Sequence, residues 1–204
     1  MSFGNYARRV RDPALPHPWR VSALRSCVQL YRPLGFEATL SFLESEAGRF
    51  RRDEAALLRA LDLIEASRAA LRTELQAYAT KRREAKAQGR RTPRADEANP
   101  NFQARWYWYG APREAALHAL RFWRSRRLPQ LLPSADPALL ELGRCVDECL
   151  DAVLTKDAVS TEDAVLTEER RDALGARVRE LERHLDSWDR LLVVRHIEVA
   201  SGLR

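Results

Sequence analysis

The sequence predicts an all-α protein: a helical bundle of about six helices whose two long members, about residues 53–88 and 168–200, pack in coiled-coil-like fashion. Three observations carry this expectation. Ala and Leu supply most of the 45% hydrophobic residues in 204 positions, whereas β-branched Val and Ile are scarce, and that balance favours helices over strands. Apolar residues step by three and four along most of the chain. Two stretches of more than thirty residues sustain the step long enough to form continuous seams. Parallel-sheet enzyme folds are disfavoured from the outset.

Each element has its own signal. Residues 1–18 hold Pro13, Pro16 and Pro18 beside Arg8, Arg9 and Arg11, and are read as an extended basic arm. Val21, Leu24, Val28 and Tyr31 then give a short amphipathic helix that Pro33 ends. Phe36, Leu40, Leu43, Ala47 and Phe50 repeat the spacing. Asp53 is the expected N-cap of a long helix to about Gln88, with Leu57, Leu61, Ile64, Leu71, Leu75 and Tyr78 in a seam interrupted by Arg68. Beyond Tyr78 the run KRREAKAQGRR lacks an apolar face and is expected to project into solvent, with Gly89 as its stop. RRTPRADEANPN is a loop by composition.

An aromatic knot follows, with Phe102, Trp106, Tyr107, Trp108 and Tyr109 in eight residues. Its alternation also fits a short strand. Pro112 opens a helix through Arg127 with Ala116, Leu120 and Trp123 on one face. Pro129 and Pro133, with Pro137 just beyond, make residues 128–136 the candidate boundary within a single domain spanning 19–204. Asp136 and Pro137 then cap and open a helix carrying Leu139, Leu142, Val146, Cys149 and Val153. DAVLTK, DAVSTE and DAVLTE stand in tandem over 151–168, and successive copies would face different directions on a helix. A repeat-containing surface loop over 155–167 is the expectation. The last helix starts at Glu168 and carries Leu174, Val178, Leu181, Leu185, Trp188, Leu192 and Val199, broken by Arg195.

Charge is the most informative feature. The chain has 35 Lys plus Arg against 29 Asp plus Glu, for a net +6. Codon bias accounts for 32 of these cations being Arg, but not for where they sit. Residues 81–127 hold 13 basic and 4 acidic side chains, whereas 128–204 hold 10 and 16. A basic first part therefore precedes an acidic last third.

The candidate site follows from that layout. Lys81, Arg82, Arg83, Lys86, Arg90, Arg91 and Arg94 lead into the knot with Arg105, Trp106 and Trp108, and Arg121, Arg124, Arg126 and Arg127 follow it. Cations neutralise phosphates and release counterions, and exposed aromatic rings stack on unpaired bases. The competing structural reading packs the tryptophans in the core and leaves the arginines as a solvated or self-paired face. A basic helix with Phe122 and Trp123 on a membrane surface is disfavoured by its small apolar face.

Other chemistry is weakly signalled. Cys145 and Cys149 lie four apart on one helix, but structural zinc needs four ligands, so both are assigned to packing. His184 and His196 are too far apart on one helix for one metal. Cys27 has no local sequence supporting a nucleophile. No catalytic residue, metal or cofactor is assigned. The expectation is a non-enzymatic nucleic-acid-binding accessory protein contacting mainly the phosphate backbone of DNA or RNA through residues 81–127. The alternative is a helical adaptor or assembly subunit that binds an acidic protein or another copy of itself, motivated by the seam arginines Arg68 and Arg195. No run reaches the length of a membrane span or a signal-peptide core, so a cytoplasmic protein without integral membrane association is expected.

Overall fold

A computed structural model describes residues 1–94, 97–134, 136–158, 168–185 and 187–203. The fold is an all-α helical bundle, with no strand among the described residues. The chain divides into two compact units, Met1–Gly110 and Ala111–Arg204. The division thus falls at the end of the aromatic knot rather than in the proline-containing stretch 128–136. Arg127 and Leu128 continue a helical path there, because Pro129 occupies a first-turn position where its missing N–H costs nothing.

In the first unit, the expected extended arm is a helix, α1 (Phe3–Arg11). Ser2 caps it by accepting from the Asn5 N–H at 3.3 Å. Phe3, Ala7 and Val10 are buried at helical spacing against α2 (His17–Leu30), so burial decides the conformation of a segment whose prolines all lie beyond it. Arg20 of α2 fastens the arrangement. Its Nε donates to the Val10 carbonyl at 2.7 Å and its Nη1 to Glu54 at 2.8 Å. That one buried guanidinium satisfies a terminal carbonyl of α1 and ties it to the start of α4.

Helix α3 (Phe36–Ala47) ends at Gly48, whose φ of +94° is strained for any side chain. Phe50 is fully buried and pegs the turn into the core. Arg59 donates to the terminal Ala47 carbonyl at 2.9 Å. Asp53 then accepts from the Ala55 N–H at 2.9 Å and opens α4 (Glu54–Ala87), the expected long helix and cap. Its 34 residues make it about 50 Å long. Leu57, Leu61, Ile64 and Leu71 are buried along it, and fully burying each such side chain contributes about 1.5–3 kcal/mol. Arg68, the charge in its seam, lies 4.3 Å over the Phe3 ring and so serves the α1 contact.

The aromatic knot follows α5 (Pro100–Gln103). Ser67 of α4 anchors it, accepting from the Tyr109 N–H at 3.0 Å while its hydroxyl lies 2.9 Å from that of Tyr31.

In the second unit, α6 (Pro112–Phe122) runs into a π-helical turn, Trp123–Arg127, and then the short α7 (Leu128–Leu131). Helix α8 (Pro137–Ala158) starts where expected, with Asp136 accepting from the Ala138 N–H at 3.0 Å. It reaches four residues into the expected repeat loop, and 159–167 lie outside the described residues. The expected second long helix is broken into α9 (Glu168–His184) and α10 (Trp188–Ser201). Ser187 causes the new start by accepting from the Arg190 N–H at 3.3 Å. Leu120, Leu139, Leu142, Val146, Leu174, Val178, Val194 and Ile197 form the core of this unit. Gly143 admits Leu128 to 3.3 Å of where a Cβ would stand.

Candidate nucleic-acid interface

The end of α4 does not project bare into solvent. Arg82 and Ala85 are buried there. Arg82 Nη1 donates to Glu97 at 3.2 Å, and its Nη2 donates to the Arg91 carbonyl at 2.5 Å. Arg90 Nη2 reaches the other Glu97 oxygen at 3.4 Å. The Arg82 and Glu97 side chains are only 10% and 4% exposed. A carboxylate fifteen residues downstream thus draws the loop back onto α4. Glu97 also accepts from the Arg94 N–H at 3.4 Å, which fixes the loop backbone.

This knot sorts the expected site residues by role. Arg82 and Arg90 are scaffold. Lys81, Arg83, Lys86, Arg91 and Arg94 are exposed around it, and none forms an ion pair among the described residues. Arg83 donates only to its neighbour Thr80, at 3.1 Å. Two segments therefore present cations around one buried acid, Glu97, which Arg82 and Arg90 already neutralise. Arg105 is exposed on the turn after α5.

Trp106 and Trp108 are core residues, 7% and 4% exposed. Trp108 packs edge-on against Phe42 with ring centroids 4.9 Å apart, and Trp106 meets Tyr107 edge-on at 5.9 Å. Neither strand face is realised, since the segment turns and buries Trp106, Trp108 and Tyr109 together. Phe102 is the large aromatic of the knot that stands exposed, at 65%.

Arg121, Arg124, Arg126 and Arg127 are exposed in the second unit, three of them on the π-helical turn. Arg124 pairs with Asp147 at 2.8 Å. Acidic side chains of the last third also find arginines within their own unit. Arg177 pairs with Glu141 at 2.7 Å and Glu148 at 2.5 Å, and Arg190 with Asp136 at 2.5 Å. Arg195, the other seam charge, pairs with Glu182 of α9 and with Glu198 at 3.0 Å. It braces the break between α9 and α10.

The charge asymmetry follows the division into units. Met1–Gly110 holds 20 basic and 12 acidic residues, a net of +8, and Ala111–Arg204 holds 15 and 17, a net of −2. One group escaped sequence reasoning. Arg49, Arg51 and Arg52 surround the buried Phe50, are all exposed, and form no ion pair among the described residues. Summing charge over 36–80, where acids outnumber bases, conceals them.

The thiols are packing groups. Burial pushes Cys27 up to about 12, Cys145 up to about 11 and Cys149 up to about 12. Among the described residues no three His, Cys, Asp or Glu side chains converge as a metal site. No described helix is long and apolar enough to cross a membrane. Comparison with protein-family models, with curated proteins and with solved structures finds no match to this chain.

Proposed function

We propose that this protein is a nucleic-acid-binding accessory protein that grips the phosphate backbone through the exposed cations at the far end of α4. The observation that carries the reading is the pairing pattern around Glu97. Arg82 and Arg90 neutralise that carboxylate, leaving Lys81, Arg83, Lys86, Arg91 and Arg94 exposed on a loop and helix end held in fixed register. Such cations neutralise phosphates and release the counterions condensed on a polyanion. Arginine adds bidentate hydrogen bonds to phosphate oxygens. The net +8 of Met1–Gly110 gives the long-range attraction that brings a polyanion to this half of the chain.

The contacts are to phosphate rather than to bases. Trp106 and Trp108 are in the core, so within the aromatic knot base contact falls to Phe102, and little sequence preference is expected. Arg105, Arg121, Arg126 and Arg127 are further candidate phosphate contacts. The seam charges Arg68 and Arg195, which suggest a helical adaptor, both have intramolecular partners, so they lend that alternative no support. Retention of single-stranded DNA, duplex DNA or RNA at about 50 mM salt, lost at several times that concentration, is the expected result. No retention of any of the three at low salt contradicts the proposal.

A further inference from the structure

The two ends of α4 differ from its middle in a way that bears on how long a nucleic acid the first unit engages. At the start of the helix, the α3–α4 corner displays Arg49, Arg51 and Arg52. Phe50 is fully buried between them, so the corner is a pegged turn that holds its cations outward. Backbone bonds from Arg52 N–H and Asp53 N–H to the Arg49 carbonyl, at 2.9 and 3.1 Å, close that turn. Asp53 caps the helix, and Arg59 lies 3.8 Å from it. No carboxylate pairs with the three corner arginines among the described residues.

At the other end of the same helix stand Lys81, Arg83, Lys86, Arg91 and Arg94. Between them, the acids of α4 are largely neutralised. Arg11 of α1 pairs with Asp62 at 2.9 Å and with Glu65 at 2.6 Å, and residues 55–80 themselves hold three arginines against three acids. A polyanion lying along the helix therefore meets two cationic ends and a near-neutral middle.

We infer that the α3–α4 corner is a second phosphate-binding surface, and that one nucleic acid bridges both ends of α4. The inference rests on the phosphate-binding reading above and adds a ligand length to it. The ends are separated by the length of α4, about 50 Å, which corresponds to about 15 base pairs of duplex at about 3.4 Å each. A duplex of about 8 base pairs spans about half that distance and reaches only one end at a time.

The test uses the full chain, duplexes of about 8 and about 24 base pairs, and one triple variant, Arg49→Ala with Arg51→Ala and Arg52→Ala. Bridging predicts one long duplex per protein but two short ones. On the long duplex, the triple variant is expected to lose about 2–3 from the slope of log affinity against log salt, at about 0.9 per phosphate contact. The matching triple Arg→Lys variant keeps the slope, because charge rather than a guanidinium contact carries this term. These substitutions are on the surface, and a melting curve like that of the parent confirms the fold. A parental slope in the triple Ala variant, or a single short duplex bound per protein, overturns the inference while leaving the α4 end as a binding surface. Absence of binding to either duplex overturns the inference, and it overturns the phosphate-binding reading as well when single-stranded DNA and RNA are not retained either.

Discussion

Arg82 and Glu97 form a buried ion pair at 3.2 Å across fifteen residues of sequence, while Arg83, next along the helix, is exposed. Neighbours of identical chemistry thus have opposite consequences when removed. Arg82→Ala leaves Glu97 with Arg90 alone in a nearly dry site and is expected to cost about 3 kcal/mol, the low end for breaking a buried pair. Arg83→Ala is expected to change stability by no more than about 0.5 kcal/mol and to reduce the salt slope of binding by about one. Urea unfolding of the two variants checks the contrast. Equal midpoints would show that the knot does not hold the loop.

The tryptophans give a second separation of roles. Trp108→Ala removes the edge contact with Phe42 and leaves a large cavity, with an expected loss of about 3–5 kcal/mol. Its milder replacement, Trp108→Phe, is expected to destabilise less and to bind oligonucleotides with the parental salt slope. A stable Trp108→Phe protein that loses single-strand affinity would instead give this indole a role in contact.

All three cysteines are predicted to be inert toward a thiol reagent in the folded protein. Burial raises each well above neutral pH, so almost no thiolate is present, and the sulfurs are also shielded from the reagent. A colorimetric thiol titration should find no fast-reacting group at neutral pH and three after denaturation. Rapid reaction of any one without denaturant would contradict its placement in the core.

Acid should weaken the second unit. The hydrogen bond from Arg190 holds the Asp136 carboxyl below its ordinary value. For Glu141, burial pushes the carboxyl up, but hydrogen bonds from Arg144 and Arg177 outweigh it and hold it below. Both groups titrate lower in the folded chain than in the unfolded one. Their contribution is therefore complete above about pH 4.5 and is lost as the pH falls through the depressed folded values. Urea midpoints at neutral pH and below about pH 4 measure the loss. Arg177→Gln combined with Arg190→Gln should start from a lower midpoint and fall less between them. An unchanged dependence would mean that these pairs are not the acid-sensitive element.

Local signals were legible where the residues that decide the structure lie close in sequence. Asp53, Asp136 and Pro112 open helices as their chemistry dictates, and α4 ends within a residue of expectation. Three prolines dominate the composition of 1–18 and suggest an extended arm, whereas Phe3, Ala7 and Val10 at helical spacing make Phe3–Arg11 a helix. The heptad pattern runs on through 185–187, yet Ser187 supplies a cap that the apolar count ignores. Burial of Arg82 depends on a carboxylate fifteen residues away, and no window on the helix contains it. The corner arginines were visible as residues but hidden in a segment total. What they lacked was Phe50 as the buried peg that makes them a surface.

The most direct measurement of the central claim is the salt dependence of duplex binding by the full chain and by one variant carrying Arg83→Ala, Lys86→Ala, Arg91→Ala and Arg94→Ala. All four side chains are exposed and lie outside the Arg82–Glu97–Arg90 knot, so the fold should survive. The account predicts a slope shallower by between about 3 and 4, at about 0.9 per lost phosphate contact. A variant that binds with the parental slope would contradict it.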